Sequence, residues 1–199
     1  MRSTIERAAG LLLLVASAPL LAVLALAVRR RMGRPVLFSQ VRLGKDEQPF
    51  VLRKLRTMTD ERDPLTGELL PDAERLTPLG RRLRATSLDE LPELWNVARG
   101  EMAFVGPRPL LPEYQDRFSP TERRRHEVRP GLTGWAQVNG RNALDWDERL
   151  GLDVWYVDHR SLALDLRILW RTLGQVLRRE GITGPDRVSM HELPSGRVS

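Results

Sequence analysis

The sequence contains no cysteine among its 199 residues. This absence excludes disulfides, thiolate catalysis and cysteine-based zinc sites, although it says little about the redox compartment. The three histidines are His126, His159 and His191, and they are too scattered along the chain to predict a metal cluster. We expect a solvated or capping role for each of them.

Positive charge is present in excess. The chain has 32 lysines and arginines against 26 aspartates and glutamates, which gives a net charge of +6. Such a balance suits anionic partners, namely lipid headgroups, nucleotides or nucleic acid. The simpler interpretation is the ordinary basicity of a cytoplasmic segment next to a membrane.

One long hydrophobic run is the second compositional feature. Residues Ala8 to Val28 carry no charge, and these 21 residues at about 1.5 Å each would just span a bilayer core of about 30 Å. A cleaved signal peptide is one interpretation, because Ala16-Ser17-Ala18 matches a cleavage motif, but the apolar run continues well beyond it. We therefore expect the uncleaved segment to contact a membrane.

Two membrane topologies remain open for this run. Pro19 lies in its middle, where a missing backbone donor can bend a helix if the freed carbonyls find partners, and the Ser17 hydroxyl is one candidate donor. Arginines flank both ends of the run, and such residues prefer the cytoplasmic side. A re-entrant hairpin and a straight span are therefore equally compatible with the sequence.

The rest of the chain is long enough for one domain. About 170 residues follow the run, which is enough for one buried core and too few for two comfortable domains. We divide the chain into a membrane helix with basic flanks (1–34), a single cytosolic domain (35–184) and a loosely ordered tail (185–199).

Two extended runs predict a β-hairpin over residues 36–58, with a turn at Gly44-Lys45-Asp46. Lys54 and Arg56 are two residues apart in its second strand, so both would project from one face, close enough to grip one diphosphate. An ordinary solvated basic face is the alternative.

An acidic pair marks the next candidate site. Ser87 and Glu90 have the spacing of a capping box, which predicts a helix to about Arg99 with Asp89 in its first turn. Unpaired N–H groups there favour anionic side chains and bound phosphate, so the Asp89 carboxylate is expected to stay ionised. Two ordinary helix-start acids are the alternative. The predicted buried stripe of this helix is Leu91, Leu94, Trp95 and Ala98.

A second candidate follows a short predicted strand, Met102 to Val105. The prolines in Pro107-Arg108-Pro109 fix the backbone around Arg108, so its guanidinium is presented for bidentate phosphate binding with little ordering cost. A structural salt bridge is the alternative.

The remaining segments are predicted as helices and polar loops. Thr77-Pro78 and Ser119-Pro120 each begin a capped helix, and a further helix runs from about Asp145 to Val157. Residues 129–135 and 139–142 are predicted loops. The last helix has an apolar stripe, for which core packing is the first interpretation and a membrane surface the second. That stripe is Leu164, Leu166, Leu169, Trp170, Leu173, Val176 and Leu177.

These motifs together resemble the bacterial sugar transferase family, the small monotopic phosphoglycosyl transferases, over nearly the whole chain. Among the members of that family, the chain looks most like the PglC-like ones. The family commonly has Ser-Pro at the helix break, whereas this chain has Ala18-Pro19. The motifs that carry the resemblance are the apolar N-terminus broken by proline, Lys54-Leu55-Arg56-Thr57-Met58, Leu88-Asp89-Glu90-Leu91-Pro92, Phe104-Val105-Gly106-Pro107-Arg108-Pro109 and residues 129–142.

The resemblance implies an α+β fold, with an N-terminal re-entrant membrane helix and a compact, mostly helical cytosolic domain that carries short strands and amphipathic surface helices. It also implies a reaction in two steps on the cytoplasmic face of the bacterial inner membrane. A phosphosugar would pass from a UDP-sugar to undecaprenyl phosphate, with release of UMP and with Mg²⁺ as cofactor. Asp89 would be the nucleophile, Glu90 would help to place the metal or Asp89, and both are candidate metal ligands. The candidate phosphate-binding residues are Lys54, Arg56, Arg84, Arg108, Arg129 and Arg141.

The similarity extends beyond the phosphate site, into residues 139–143, 152–157 and 179–182. It implies a donor that carries an N-acetylated amino sugar, such as UDP-N,N′-diacetylbacillosamine. The expected partners are this donor, undecaprenyl phosphate and anionic lipids of the inner membrane, without nucleic acid. Homo-oligomerisation is left open.

Two rival functions come from other classes. A glycosidase would need its two carboxyl groups to flank a glycosidic bond, and the cationic surroundings argue against it. A membrane-anchored basic scaffold or nucleic-acid binder would use the basic face alone and would not need Asp89.

Overall fold

The computed structural model describes residues 2–140, 144–178 and 193–194. Its first element is helix α1 (Arg2–Met32), which contains the apolar run and continues through Pro19. The segment Ser3–Met32 is long and apolar enough to cross a membrane, with a mean hydropathy of 2.8 over an 18-residue window.

The Ser17 hydroxyl does not compensate for Pro19 in the predicted way. It donates to the carbonyl of Leu14 at 3.0 Å. The carbonyl that Pro19 leaves without its helical donor belongs to Val15, four residues before the proline. Ser17 therefore adds a second bond to the preceding carbonyl of α1.

Both ends of α1 contact the domain that follows. Near the N-terminus, Glu6 forms an ion pair with Arg129, and Arg7 Nε donates to the carbonyl of Ala98 at 3.2 Å. Near the C-terminus, Val28 is fully buried in an apolar cluster of the domain. The apolar side chains between these ends are largely exposed, among them Leu11, Leu12, Val15, Leu20 and Val23.

A β-hairpin follows α1 and confirms the prediction. Strand β1 (Leu37–Leu43) pairs antiparallel with β2 (Pro49–Leu55), and a 3₁₀ turn at Lys45–Glu47 joins them. In β2, buried and exposed residues alternate along most of the strand. The inner face consists of Phe50, Leu52 and Lys54, and the outer face carries Val51 and Arg53.

Two short helices follow the exposed loop after the hairpin. These are α2 (Asp72–Arg75) and α3 (Pro78–Ala85). The Thr77 side chain accepts a bond from the Gly80 amide at 2.9 Å, so the predicted cap is confirmed.

The helix predicted from Ser87 begins differently. Ser87 is left-handed, with φ of 54°, and its side chain caps nothing, so the predicted capping box is wrong. Leu88–Glu93 forms a 3₁₀ helix, and α4 (Leu94–Arg99) continues it to Gly100. Each residue of a 3₁₀ helix turns by about 120° instead of about 100°. The side chains therefore point in other directions than an α-helix would give them, and Trp95 is exposed rather than part of the buried stripe.

The predicted strand after α4 is confirmed as β3 (Ala103–Val105), and it pairs in parallel with β4 (Gly131–Thr133). Strand β4 lies within residues 129–135, which were predicted to be a loop. Glycine permits the pairing: a Cβ on Gly131 would lie 2.1 Å from the backbone nitrogen of Gly106. Only glycine allows this close approach of the two backbones.

The helices of the C-terminal half largely follow the prediction. A 3₁₀ segment (Pro112–Arg117) precedes α5 (Pro120–Arg123), where Ser119 and Glu122 form the predicted capping box. A 3₁₀ helix at Arg124–Glu127 extends α5 to Val128. After β4 come α6 (Trp135–Asn139), then α7 (Trp146–His159) with a second capping box, and α8 (Leu162–Arg178).

Core packing is the wrong interpretation for most of the apolar stripe of α8. Leu164 and Ile168 are buried against α7 and the β3–β4 pair. The other apolar residues recur at helical spacing on a different face, which leaves them exposed. This exposed face, called the α8 face below, consists of Leu162, Leu166, Leu169, Trp170, Leu173 and Leu177.

The predicted tail after Gly184 lies outside the described residues except for Leu193 and Pro194. Leu193 is fully buried with Tyr114, Phe118 and Leu150. This position of the tail is therefore packed against the domain. The described part of the fold is mostly helical, with a few short strands.

Candidate active site

Charged side chains from four segments meet beside the inner face of the hairpin. Lys54 Nζ lies 2.6 Å from Glu90 Oε1. Both terminal nitrogens of Arg108 lie 3.3 Å from the same oxygen. Sequence analysis selected every member of this group, which we call the acid–cation cluster: Lys54 from β2, Arg84 from α3, Asp89 and Glu90 from the 3₁₀ helix, and Arg108 from the loop after β3.

Asp89 is the buried member of the predicted acidic pair, with 7% of its surface exposed. Burial raises the pKa of its carboxyl, and the neighbouring Glu90 carboxylate raises it further. Lys54 and Arg84 act in the opposite direction without cancelling the increase in pKa. The two cations are therefore the main groups that favour the charged form of this carboxyl, whereas the sequence predicted that role for the helix N-terminus.

The pKa of Glu90 is shifted in the opposite direction to that of Asp89. Burial alone would raise its pKa, but Lys54 and Arg108, with hydrogen bonds from both, lower it to about 2. Glu90 is thus a permanent anion that fixes two cations beside Asp89. The two adjacent acids are accordingly expected to differ in their roles.

Sequence analysis missed a third acid, Glu93. Its Oε1 lies 3.0 Å from Lys54 Nζ, and the residue is 3% exposed. Residues three apart eclipse in a 3₁₀ helix, so Glu90 and Glu93 project toward the same ammonium. Burial raises the pKa of Glu93 to about 7, because the opposing effect of Lys54 is offset by Glu90. The only sequence signal was the spacing from Glu90, which becomes informative once the helix is known to be 3₁₀.

This pKa predicts a pH effect on stability. Because folding raises the pKa of Glu93 from 4.5 to about 7, the fold prefers its protonated form, and stability falls as pH rises through that window. A neutral glutamine avoids the cost of burying the anion. We expect the melting temperature of Glu93→Gln to exceed that of wild type at pH 8 by on the order of a few degrees, and the difference to shrink toward pH 5.

Thermal unfolding in detergent at several pH values measures this difference. Glu113→Gln is the matched control, since Glu113 is exposed. A melting difference for Glu93→Gln that stays constant between pH 5 and pH 8 would show that Glu93 does not titrate in this range.

The Pro107-Arg108-Pro109 loop is held by its carbonyl groups. The Gly131 amide donates to the carbonyl of Pro107 at 3.0 Å. The Arg125 side chain donates to the carbonyl of Arg108 at 2.7 Å, and the Arg42 side chain donates to the carbonyl of Pro109 at 3.3 Å. Each bond comes from a different segment, so the loop is fixed from several directions in addition to its prolines. The Arg108 side chain remains 42% exposed, which leaves it accessible to a ligand.

A buried ion pair supports this loop. Arg125 is 2% exposed, and its Nη2 lies 2.7 Å from the Asp153 carboxylate. The same nitrogen holds the carbonyl of Arg108. Asp153 of α7 therefore orients Arg125, and Arg125 positions the loop; sequence analysis had no local signal for this pair.

Arg56 is not part of the cluster. Its guanidinium donates to Asp60 at 3.2 Å and also bonds the carbonyl of Met32 at the end of α1. Strand β2 ends at Leu55, so the alternation that would have aligned Arg56 with Lys54 does not extend to it. The predicted joint grip of both side chains on one diphosphate does not form.

Arg129 is also placed elsewhere. It pairs with Glu6 of α1 and donates to the carbonyl of Met102 at 3.1 Å. Its position is therefore at the contact between the apolar helix and the domain. Arg141 lies outside the described residues.

The comparison with known proteins decides the family. The profile of the bacterial sugar transferase family matches residues 1–179. The chain belongs to this family. The uncharacterised sugar transferase EpsL of Bacillus subtilis is 53% identical over 173 residues, which make up 86% of this sugar transferase and 85% of the relative.

Two further relatives carry functional names. The UDP-glucose:undecaprenyl-phosphate glucose-1-phosphate transferase of Caulobacter vibrioides is 40% identical, over 88% of this sugar transferase and 69% of the relative. The undecaprenyl-phosphate galactose phosphotransferase of Salmonella typhimurium is 35% identical, over 91% of this chain and 41% of the relative. The chain thus spans less than half the length of some relatives.

Asp89 and Glu90 are the two residues of the acid–cation cluster that could hold a divalent cation. Burial and, next to it, the Glu90 carboxylate raise the pKa of Asp89, and a cation beside the two carboxyl groups would oppose both effects. Within the described ranges no group of three acidic or histidine side chains is arranged to hold a metal by itself. One or two carboxylates together with substrate phosphates are the usual ligands of Mg²⁺ in such sites.

Proposed function

We propose that this sugar transferase moves a phosphosugar from a UDP-sugar to undecaprenyl phosphate through a covalent intermediate on Asp89. The observation that carries the proposal is the buried Asp89 beside Glu90, where Lys54 and Arg108 supply positive charge. A carboxylate nucleophile must be ionised, aimed and screened from its anionic substrates. The relatives from Salmonella typhimurium and Caulobacter vibrioides are named for the transfer of galactose phosphate or glucose 1-phosphate to undecaprenyl phosphate.

The proposed chemistry has two displacements at phosphorus. In the first, a carboxylate oxygen of Asp89 forms a bond to the sugar-bearing phosphorus, the phosphoanhydride bond breaks, and UMP leaves with the electron pair. In the second, a phosphate oxygen of the acceptor attacks the same phosphorus, and the Asp89 carboxylate is restored. A bound Mg²⁺ would supply charge neutralisation between carboxylates and phosphates.

The chain's own cations have distinct parts in this mechanism. Arg108 has its guanidinium exposed beside Glu90, so it can contact the donor phosphates in both displacements. Arg84 acts on Asp89 from α3 and lowers the pKa of that carboxyl. Lys54 lies between Glu90 and Glu93, where its charge offsets part of the effect of Glu90 on Glu93.

We further propose that α1 is re-entrant and that the domain lies on the cytoplasmic face of the inner membrane. A helix of 31 residues is about 46 Å long, which exceeds the apolar thickness of a bilayer. In a straight span, one end would be separated from the domain by the membrane. The contacts of Glu6 and Arg7 at one end and of Val28 at the other instead attach both ends to the same domain.

The α8 face supports a shallow position on the lipid. It exposes several large apolar side chains, including Trp170, and arginines border them. Contiguous exposed apolar patches mark interaction surfaces, and tryptophan beside arginine is typical of a membrane interface. Anionic lipid headgroups would neutralise these arginines.

The topology is testable because the natural chain has no cysteine. We expect single cysteines in Ser3→Cys and Ser39→Cys to react equally with a membrane-impermeant maleimide in inverted inner-membrane vesicles. Both should be protected in intact spheroplasts, since both ends of α1 would face the cytoplasm. The cysteine-free parent is the labelling control.

Labelling of Ser3→Cys from the periplasmic side alone would replace the re-entrant hairpin with a straight span. Both positions are exposed on the protein surface, so a difference in labelling would reflect the membrane rather than burial in the domain.

We propose a UDP-linked N-acetylated amino sugar, such as UDP-N,N′-diacetylbacillosamine, as the donor. Its support is the resemblance to PglC-like members beyond the phosphate site. UDP-glucose and UDP-galactose are the second candidates, because relatives are named for glucose and galactose transfer. A pocket that hydrogen-bonds acetamido groups leaves polar groups unpaired when a hydroxyl sugar binds, so discrimination is expected to be strong.

UMP release from a panel of these donors tests the proposal, with purified protein and undecaprenyl phosphate. Neither a glycosidase nor a basic scaffold should release UMP. Faster transfer from UDP-glucose or UDP-galactose would overturn the donor assignment while the Asp89 mechanism would stand. Absence of UMP release from every donor would overturn the transferase proposal.

A further inference from the structure

Phe38 is an exposed aromatic residue on the inner face of the hairpin, whose other residues are buried or partly buried. The register pairs it directly with Lys54, so the two side chains project from the same face. The other residues of β2 on this face, Phe50 and Leu52, are buried, whereas Phe38 is 44% exposed. Its exposure therefore needs a separate explanation.

The ring lies at the edge of the acid–cation cluster. Directly opposed residues of antiparallel strands have Cβ atoms about 5 Å apart. The Lys54 ammonium in turn lies 2.6 Å from Glu90. A substrate whose phosphate is bound at this cluster would thus have Phe38 next to it.

Phe38 is also close to the end of the apolar helix. Strand β1 begins five residues after Met32, the last residue of α1. Val36 packs into the apolar cluster that contains Val28 of α1, and its carbonyl accepts a bond from the Arg56 amide at 2.9 Å. This end of the hairpin therefore adjoins the membrane helix, and Phe38 follows two residues after Val36, directly opposite Lys54 of the charged cluster.

This position suits the apolar part of a lipid phosphate. Such a molecule has its phosphate at headgroup level, and its first hydrocarbon units follow directly below. A charged cluster next to an exposed apolar ring, at the end of a membrane helix, matches that change of polarity. A nucleotide base would stack on the ring equally well, but it has no reason to lie toward the membrane.

We infer that Phe38 binds the first isoprenoid units of the polyprenyl phosphate acceptor and so positions its phosphate at the cluster. The inference rests on the proposed transferase function and adds a residue that selects the acceptor. Because the ring acts on the acceptor alone, it should affect the second displacement and leave the first unchanged.

The test compares Phe38→Ala, Phe38→Leu and Val41→Ala, using whichever UDP-sugar the wild-type protein turns over. Val41 is the matched control: it lies on the same strand with 46% exposure, but on the outer face. The KM for undecaprenyl phosphate should rise about tenfold in Phe38→Ala, as expected for losing one half-buried aromatic contact. Phe38→Leu should recover most of the loss, because a lipid needs apolar area rather than an aromatic plane.

Several readouts separate the outcomes. The KM for the donor and the acceptor-independent burst of UMP should match wild type in Phe38→Ala, and farnesyl phosphate should lose as much affinity as undecaprenyl phosphate, because both share the first units. A raised donor KM without rescue by leucine would overturn the inference in favour of stacking on the base. An unchanged acceptor KM would also overturn it. Failure of the wild-type protein to transfer any sugar phosphate would instead refute the underlying function.

Discussion

Replacing Asp89 with asparagine is expected to reduce phosphosugar transfer by on the order of 10³-fold or more, as the loss of a covalent nucleophile typically does. The amide has nearly the shape of the carboxyl group but cannot form the bond to phosphorus. Folding should be intact, because burial already disfavours the charged form of this side chain and raises the pKa of its carboxyl. Transfer of radiolabelled sugar phosphate to lipid, together with the melting temperature, measures both effects.

The control for Asp89→Asn is Asp116→Asn, the same change at an exposed aspartate of another segment. It should retain full activity. Asp89→Asn should also fail to retain label from a donor labelled in the sugar, because no acyl phosphate can form. Turnover within tenfold of wild type would remove Asp89 from the nucleophile role, whatever the melting temperature.

Replacing Arg108 with alanine is expected to lower kcat/KM by about 10²- to 10³-fold, the usual loss when one donor to a developing charge is removed. The guanidinium is exposed enough to bind donor phosphates, and both of its terminal nitrogens lie 3.3 Å from Glu90. Its removal would also leave Glu90 with Lys54 as its remaining cationic hydrogen-bond donor. Arg108→Lys should be intermediate, since it keeps the charge but loses the planar fork.

The matched control is Arg124→Ala, which removes a partly exposed arginine whose partners, Glu127 and Asp158, lie outside the acid–cation cluster. Its activity should equal that of wild type. A double-mutant cycle with Glu90→Gln sharpens the test, because two residues in contact should give a combined loss smaller than the product of the single losses. Independent effects would show that Arg108 and Glu90 act on different groups.

Local chemistry made several elements predictable from the sequence. The caps at Thr77 and Ser119 form between residues three apart, so the sequence contains both partners. The hairpin follows from two extended runs around a short turn. The charged residues Asp89, Glu90 and Arg108 were selected for the same reason, since adjacent acids and a proline-flanked arginine are visible in the chain itself.

The backbone conformation around Asp89 and Glu90 depends on contacts between residues far apart in the sequence, which short-range patterns do not reveal. Ser87 has the spacing of a cap, yet the chain enters a 3₁₀ helix there, and this choice brings Glu93 to Lys54. Thirty-nine positions separate Lys54 from Glu93 in the sequence, so only the packing of the hairpin against this helix reveals the third acid. The exposure of Trp95 follows from the same change of helical pitch.

The sequence by itself determined the family, the long apolar helix and the candidate residues for the chemistry, because those depend on residue type and short-range spacing. The tertiary structure decided which cations meet the acids: Lys54 and Arg108 do, whereas Arg56 and Arg129 are engaged by the two ends of α1. It also decided that the α8 face stays exposed, since amphipathic spacing specifies an apolar face but not what covers it. Both results require the positions of segments far apart in the chain, which interactions between neighbouring residues do not specify.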